Sequence, residues 1–252
     1  MKRPNKDVHL TLNVDDLRFY LEIFHTLKAD VRLKLSKDGL RSIAIDRSMN
    51  VLVDVKLGRK AFSRFSGAGS ELDLPLDRLF EVINQLNVES DITLESRKGS
   101  GRLTIRGDRG FSWDLPLARY KMEELCNPPH EWDCVAIVYN LDILRNLDIL
   151  RRTVDPKYVT MSLHSRGITL RGENEEDRIS IRINKSATRG LHVPKKVKAT
   201  FDMELLAAIL SAFEDTMYAQ MEVSDEFPIR ISTRFGCGQG EAEAILAAKI
   251  DE

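Results

Sequence analysis

One order of secondary-structure signals occurs twice in this 252-residue chain, and this duplication limits the possible folds more than any other feature. In each half, a helical pattern is followed by strands on both sides of a glycine turn, then by a second helical pattern. The offset from Gly39 to Gly167 is nearly the same as that from Leu79 to Leu206, and both are close to half the chain. The spacing predicts two copies of one unit, each of ordinary domain size.

Most of the predicted elements are short strands. Apolar and polar residues alternate over 31–35, and the pattern resumes over 40–45 after a turn at Lys37-Asp38-Gly39. Such alternating segments, separated by glycine-rich turns, are typical of antiparallel sheet. Further strands are predicted at 51–57, 92–95, 102–105, 111–115, 158–163, 168–170, 178–183, 197–201, 218–223, 229–232 and 242–248.

Helical patterns occur at four places. The first begins at Asp15 and Asp16, whose carboxylates suit the positive end of a helix dipole. The others span about 76–86, 141–154 and 203–213, with apolar residues at the spacing of a buried face. The sequence therefore predicts an α+β protein with two similar domains, each of antiparallel sheet with two helices. We expect domains at 1–117 and 133–252, joined by a connector at 118–132 that contains Pro128-Pro129.

The composition excludes several classes of protein. A hydrophobic content of 42% is enough for a core, which excludes global disorder. Lys and Arg number 38 against 39 Asp and Glu, so the chain is not a uniformly basic nucleic-acid binder. No apolar run approaches the ~20 residues of a membrane helix, and polar residues follow Met1-Lys2-Arg3 where a secretory signal needs an apolar stretch. We therefore expect a soluble intracellular protein.

The sequence contains no convincing catalytic motif. The glycine-rich run at 236–240 lacks the Lys-Ser/Thr of a phosphate-binding loop and is better explained as a hairpin turn. Cys126, His130 and Cys134 lack a fourth ligand and the spacing of a zinc site. A hydrolase on a duplicated scaffold has no motif to support it. We expect no enzymatic activity, no metal and no cofactor.

Several short segments occur in the order found in a known protein family. They lie at 38–46, 51–55, 114–117, 227–229 and 246–252. Together they resemble the proliferating cell nuclear antigen (PCNA) type of DNA polymerase sliding clamp. The lack of a long insertion is more similar to an archaeal clamp than to the bacterial three-domain kind. The resemblance covers essentially the whole chain.

The resemblance implies a ring of three chains, closed head to tail, with sheets outside and helices lining a hole for duplex DNA. Such a ring is a non-catalytic processivity factor for replication and repair. It would bind polymerase, ligase, nuclease and a clamp-loading ATPase through short peptides. It would lie in the cytoplasm with the nucleoid if the source is archaeal, and in the nucleus if it is eukaryotic. The resemblance pairs one edge of the chain with the next chain through Phe111, Trp113 and Leu115 on one side and Ile179, Ile181 and Ile183 on the other. Alternatively, each strand pairs only within its own sheet.

The family contacts DNA through bases on its helices, so the resemblance places candidate DNA-binding residues on the first three helices. Helix four has no Lys or Arg, unlike the corresponding helix of the family. Considered without the family, these bases are solvated helix faces. A scaffold subunit of a mixed ring, or a repair or checkpoint paralogue with weak DNA contact, is therefore a second hypothesis. The candidates are Arg18, Lys28, Arg78, Arg145, Arg151 and Arg152.

The resemblance also implies an apolar groove beneath the connector, in which partner peptides bind. Ala248 occupies a position where many relatives have proline. Because alanine lacks the rigid proline ring, we expect a less ordered backbone at the tail. Ile45 and Leu52 lie in strand-like runs and could instead be ordinary core residues. The carried-over groove residues are Ile45, Leu52, Met122, Leu125, Pro228, Ala247 and Ala248.

Overall fold

The computed structural model describes residues 4–120, 125–126 and 130–249. The chain forms two compact units. Unit 1 consists of Met1–Arg47, Val53–Asn127 and Arg234–Ala242, and unit 2 consists of Ser48–Leu52, Pro128–Thr233 and Glu243–Glu252. The borders expected from the sequence, at 117 and 133, stay a prediction.

The first half of the chain contains nine strands and two α-helices among the described residues. In chain order they are β1 (Val8–Asn13), α1 (Val14–Thr26), β2 (Val31–Ser36), β3 (Gly39–Ile45), β4 (Val51–Gly58), β5 (Phe62–Ser66), β6 (Glu71–Leu74), α2 (Leu76–Ile83), β7 (Asp91–Ser96), β8 (Arg102–Arg106) and β9 (Ser112–Pro116).

The second half repeats this order, element for element, within the described part of the chain. Its elements are β10 (Cys134–Tyr139), α3 (Asn140–Thr153), β11 (Tyr158–His164), β12 (Gly167–Glu173), β13 (Arg178–Asn184), β14 (Thr188–His192), β15 (Val197–Asp202), α4 (Met203–Ala212), β16 (Tyr218–Val223), β17 (Ile229–Phe235) and β18 (Gly240–Leu246). The run at 236–240 contains a short turn between β17 and β18, as predicted.

The sheets of the two halves also correspond. In the first half, the strands are ordered β5-β1-β7-β8-β9 and β4-β3-β2-β6. In the second half, the orders are β14-β10-β16-β17-β18 and β13-β12-β11-β15. The predictions of four helices, antiparallel sheets and an α+β fold are confirmed. Strands β1, β5, β6, β10 and β14 were not predicted, although β1 alternates clearly between apolar and polar residues.

The core of each unit lies between its helices and the inner faces of its strands. Leu79 on α2 and Leu206 on α4, the leucine pair matched in the sequence, are both fully buried. The two equivalent glycines also share one conformation, with φ of +135° at Gly39 and +147° at Gly167. A Cβ atom at either position would lie 2.1 Å from a carbonyl oxygen, that of Leu57 or Ile183. Only glycine fits both constraints, so the duplication extends to backbone detail.

Candidate nucleic-acid interface

The candidate bases of unit 1 lie on or beside α1 and α2. Arg18 donates from Nη2 to Asp15 Oδ1 at 2.8 Å, one helical turn away. Lys28 is exposed just after α1 and has a positive φ of 52°. Arg78 is exposed on α2, and its guanidinium carbon lies 5.6 Å from the centre of the Trp113 ring. Two of the three bases therefore already have a partner within the unit.

The three candidate bases of unit 2 all lie on α3 and all face carboxylates of the same helix. Arg145 lies 3.8 Å from Asp142, while Arg151 and Arg152 lie 3.5 and 2.8 Å from Asp148. The spacings are i,i+3 and i,i+4, which bring side chains together on a helix surface. Each arginine side chain remains more than half exposed. Phosphate groups can therefore reach these bases, but only in competition with Asp142 and Asp148.

Helix α4 contributes no base, as the sequence indicated. Its one charged residue is Glu204, and its surface is otherwise formed by apolar and small side chains. Taken together, the four helices carry five arginines and eight carboxylates, which gives a net charge of −3. Burial and the neighbouring Asp15 raise the pKa of Asp16. The helices of each unit are therefore mixed in charge, and three of the five arginines lie on α3.

The two strands expected to meet neighbouring chains are both edge strands. β9 ends one sheet of unit 1, next to β8, and β13 ends one sheet of unit 2, next to β12. Trp113, Ile179 and Ile181 are half-buried there. Leu115 and Ile183 are buried core residues of their own units, so only their backbone lies at the edge. Phe111 precedes β9 rather than lying within it.

The candidate groove residues are distributed between the units, and Met122 lies outside the described residues. Ile45 in unit 1 is 37% exposed, and Leu125 is half-buried. Leu52, Pro228, Ala247 and Ala248 belong to unit 2 and are half-buried. The N–H of Ala247 donates to Asn50 O at 2.8 Å, which brings the segment before the C-terminus beside the segment that contains Leu52. The N–H of Lys249 donates to Thr200 O at 2.7 Å, so the backbone is held to β15 at the residue after Ala248.

Next to Pro228, the structure contains an aromatic cluster that the sequence did not predict. His130 stacks on Phe227 at 4.0 Å, and Trp132 meets His130 edge-on at 4.7 Å. Arg230 lies 5.5 Å from the centre of the Trp132 ring and forms an ion pair with Glu222. Phe227 is 39% exposed. The available sequence signal was the Phe227-Pro228-Ile229 segment, which gave no indication that Trp132 lies beside it.

The described residues provide no group of three side chains able to hold a metal ion. Cys126, Cys134 and Cys237 are free thiols, and burial raises the pKa of Cys134. Among the described helices, none is both long enough and apolar enough to cross a membrane.

Comparisons with known proteins agree with this architecture. No family model matches the chain. The chain is 18% identical over 241 residues to a DNA polymerase sliding clamp of Methanocella arvoryzae, covering 95% of this chain and 97% of that protein. The PCNA structure from Entamoeba histolytica superposes with a TM-score of 0.89 at 14% identity, covering 96% of this chain and 99% of that one.

A third match is a structure of the C-terminal region of FEN-1 bound to A. fulgidus PCNA. It superposes with a TM-score of 0.86 at 14% identity and covers 97% of this chain and 99% of that one. The resemblance predicted from the sequence is thereby confirmed: the chain has the clamp fold, and along its whole length it is similar to the PCNA-type sliding clamps of archaea.

Proposed function

We propose that this chain is a subunit of a DNA sliding clamp, a non-catalytic ring that surrounds duplex DNA and tethers a polymerase and other replication or repair enzymes to it. The observation that carries the proposal is the match to clamps over nearly the full length of both chains, in sequence order and in fold. Tethering increases the effective concentration of an enzyme at its substrate without any chemistry by the tether. The protein would therefore be found with DNA, in the nucleoid of an archaeal cell.

The two open edges support assembly of like chains. Along β13, Ile179 and Ile181 lie on one face, and Arg178 and Arg182 lie on the other. β9 has the same division, with Trp113 on one face and Asp114 on the opposite one. Antiparallel pairing of the two edges can therefore place apolar side chains together and acidic beside basic groups. Because the edges differ, the contact is head to tail, and repeated contacts of this type close a ring when the rotation allows it.

Light scattering on the isolated chain tests the assembly. We expect a particle of three 28.7 kDa chains. Ile181→Asp, which places a carboxylate on the apolar face of the β13 edge, should reduce the particle to monomers, whereas Ser180→Asp on the polar face should reduce trimer affinity less. A stable monomer in the unchanged protein contradicts a ring formed from this chain alone.

For partner proteins, we propose an apolar groove that binds short peptides, as the FEN-1 C-terminal region is bound in A. fulgidus PCNA. A polymerase, a ligase and a clamp-loading ATPase are the other expected partners. Pro228 and Ala247 are half-buried, so a partner can reach them. Calorimetry with a FEN-1 C-terminal peptide should show binding that Pro228→Glu weakens at least tenfold, since a buried carboxylate is costly in an apolar contact. Equal affinity in the variant would place the peptide elsewhere.

A second function is favoured by the net charge of −3 on the four helices. In this alternative, the chain joins a mixed ring in which paralogues supply most of the DNA contacts. Replacement of Arg145, Arg151 and Arg152 by Ala distinguishes the two functions in a processivity assay with polymerase and loader over a range of salt concentrations. For a DNA-contacting ring, the salt slope should fall by about one unit per lost phosphate contact. An unchanged slope, equal to that of a control with Arg64, Arg97 and Arg166 replaced, favours the mixed ring.

A further inference from the structure

The solvent faces of two equivalent strands differ in character. On β1 in unit 1, the outward positions are His9, Thr11 and Asn13, all polar. On β10 in unit 2, the equivalent positions carry Val135, Ile137 and Tyr139. An antiparallel sheet normally has one apolar face on the core and one polar face toward water. Unit 2 departs from that rule at the positions where unit 1 follows it.

At the end of this apolar strand, two tyrosines and an arginine form a cluster. Tyr139 and Tyr218 face each other across β10 and β16, with ring centres 5.0 Å apart. Arg189 donates from Nη1 to the Tyr218 hydroxyl at 2.9 Å, and its guanidinium carbon lies 4.7 Å from the ring centre. Hydrogen bonds from Tyr139 and Arg189 lower the pKa of Tyr218. The equivalent facing pair in unit 1 is Asn13 and Asp91, which are both polar.

A β-bulge directs Arg189 toward this cluster. The register between β10 and β14 shifts between Ile137, opposite Gly190, and Val138, opposite Thr188, so Arg189 is the extra residue. Bulges reorient a side chain in this way. Unit 1 has the same shift between β1 and β5, where the extra residue is Ser63. The bulge is therefore common to both units, but the extra residue carries a charge only in unit 2.

The tyrosine of this cluster that precedes α3 makes no N-cap hydrogen bond to that helix. In unit 1, Asn13 accepts a hydrogen bond from Asp15 N and caps α1, whereas Tyr139 at the same position of α3 makes no such bond. Tyr139 is 41% exposed, and Met217, which precedes Tyr218 in the chain, is 67% exposed. A residue that lacks a stabilising cap hydrogen bond and exposes apolar surface is typical of a binding site.

We propose that these side chains form a docking site for an amphipathic helix of a partner protein, which lays its apolar face on the sheet and presents a carboxylate to Arg189. We call this surface the tyrosine patch: Ile137, Tyr139, Arg189, Met217 and Tyr218. An apolar sheet face is commonly covered by a helix, and Tyr and Arg are enriched among residues that dominate binding energy. Within the described part of the chain, Arg189 forms no ion pair with a carboxylate, so its charge is available.

The same observations disfavour nucleic acid as the occupant. Single-stranded DNA needs a track of bases along its phosphates as well as aromatic rings. The tyrosine patch has one base. The pKa of Tyr139 is raised mainly by its hydrogen bond with Tyr218, and the carboxylate of Asp142 on α3 raises it further. The proposal does not depend on the clamp function, because none of these residues belongs to the proposed ring contacts or the proposed peptide groove.

Binding of a synthetic helix tests the proposal on the full-length protein. The probe is an amphipathic peptide of about 18 residues, or five helical turns, with Leu on one face and Glu on the other. The variant Tyr139→Asn with Arg189→Ser carries only residues found at the equivalent positions of unit 1, so it should fold. We expect fluorescence anisotropy to show at least a tenfold loss of affinity in this variant. Arg64→Ser, beside the bulge of unit 1, should bind the peptide like the unchanged protein.

Two further probes test the chemistry. A peptide in which Lys replaces every Glu should bind at least tenfold more weakly than the acidic peptide, because it cannot pair with Arg189. An oligo-dT strand should bind more weakly than either peptide. The proposal is overturned if the acidic peptide does not bind, if the double variant binds it unchanged, or if the oligonucleotide binds most tightly, which would assign the patch to single-stranded DNA.

Discussion

One pair of facing positions is filled by a buried ion pair in unit 1 and by two hydroxyl groups in unit 2. Arg32 on β2 faces Asp73 on β6, with Nε and Oδ1 2.6 Å apart, and both side chains are buried. At the equivalent positions, Thr160 on β11 faces Thr200 on β15, with their Oγ1 atoms 3.0 Å apart. Equivalent backbone positions therefore hold either an ion pair or a hydroxyl pair. The two pairs should differ in how much free energy of unfolding is lost when one side chain is removed.

Removing one side chain from each pair should give the largest difference in stability between the two units. Asp73→Ala leaves Arg32 as a buried charge whose nearest remaining carboxylate, Glu71, is 3.8 Å away. We expect a loss of about 3 kcal/mol of unfolding free energy, against about 1 kcal/mol for Thr200→Ala. Urea unfolding followed by circular dichroism measures both.

A double replacement sharpens this test. Changing Arg32 and Asp73 together to Thr gives unit 1 the hydroxyl pair of unit 2 and removes both members of the buried ion pair. It should recover most of the stability lost in Asp73→Ala, because replacing both partners of a buried ion pair is far less costly than removing one. A double variant no more stable than Asp73→Ala would mean that the ion pair has a structural role that the hydroxyl pair cannot fill.

Substitutions at the equivalent glycines test whether the two units share the same steric requirement as well as the same backbone conformation. Gly39→Ala and Gly167→Ala each force a Cβ against a carbonyl oxygen at a positive φ. We expect both to lower the unfolding free energy by about 2 kcal/mol. Gly99→Ala is the matched control, because its φ is +70° but no other atom lies within 4 Å of the added Cβ. It should cost about 1 kcal/mol, and an equal cost at all three positions would contradict the steric explanation.

The sequence was sufficient for the fold and for part of the candidate site. Apolar spacing located all four helices, because each buries one face, as α2 buries Leu76, Leu79, Phe80 and Ile83. The pairing of α3 arginines with its aspartates follows from i,i+3 and i,i+4 spacing. The cluster of Tyr139, Arg189 and Tyr218 could not be predicted. Its members lie far apart in sequence, and their meeting depends on a register shift that leaves no local signal.

The first turns of α1 and α3 allow a prediction in which stability and binding change in opposite directions. Asn13→Ala removes the cap of α1 and should cost about 1 kcal/mol. Tyr139→Asn installs the same cap on α3 and should stabilise unit 2 by up to about 1 kcal/mol while it weakens peptide binding. Thermal unfolding measures the first effect and anisotropy the second. If Tyr139→Asn lowers stability, Tyr139 is held there by packing, and the tyrosine patch loses its strongest support.

The smallest expected difference in stability between the units concerns the residue three positions before each of the equivalent glycines. Unit 2 has His164 where unit 1 has Ser36, at the same offset that relates Gly167 to Gly39. Burial lowers the pKa of His164 from its ordinary value of 6.5, and Arg182, Lys196 and Arg166 lower it further. Its Nδ1 accepts from the N–H of Arg166 at 3.3 Å, which requires the unprotonated nitrogen.

Because the unfolded chain binds this proton more readily than the folded one, the folded protein should lose stability as the pH falls below about 6.5. The effect is small, since the ring lies near the surface. His164→Ser, which installs the unit 1 residue, should remove this part of the pH dependence without changing stability at pH 8. Unfolding curves at pH 8 and pH 5.5 measure the difference. If both proteins lose the same stability between these two values, the cations around His164 are screened by solvent, and the acid sensitivity of the chain arises from groups common to both.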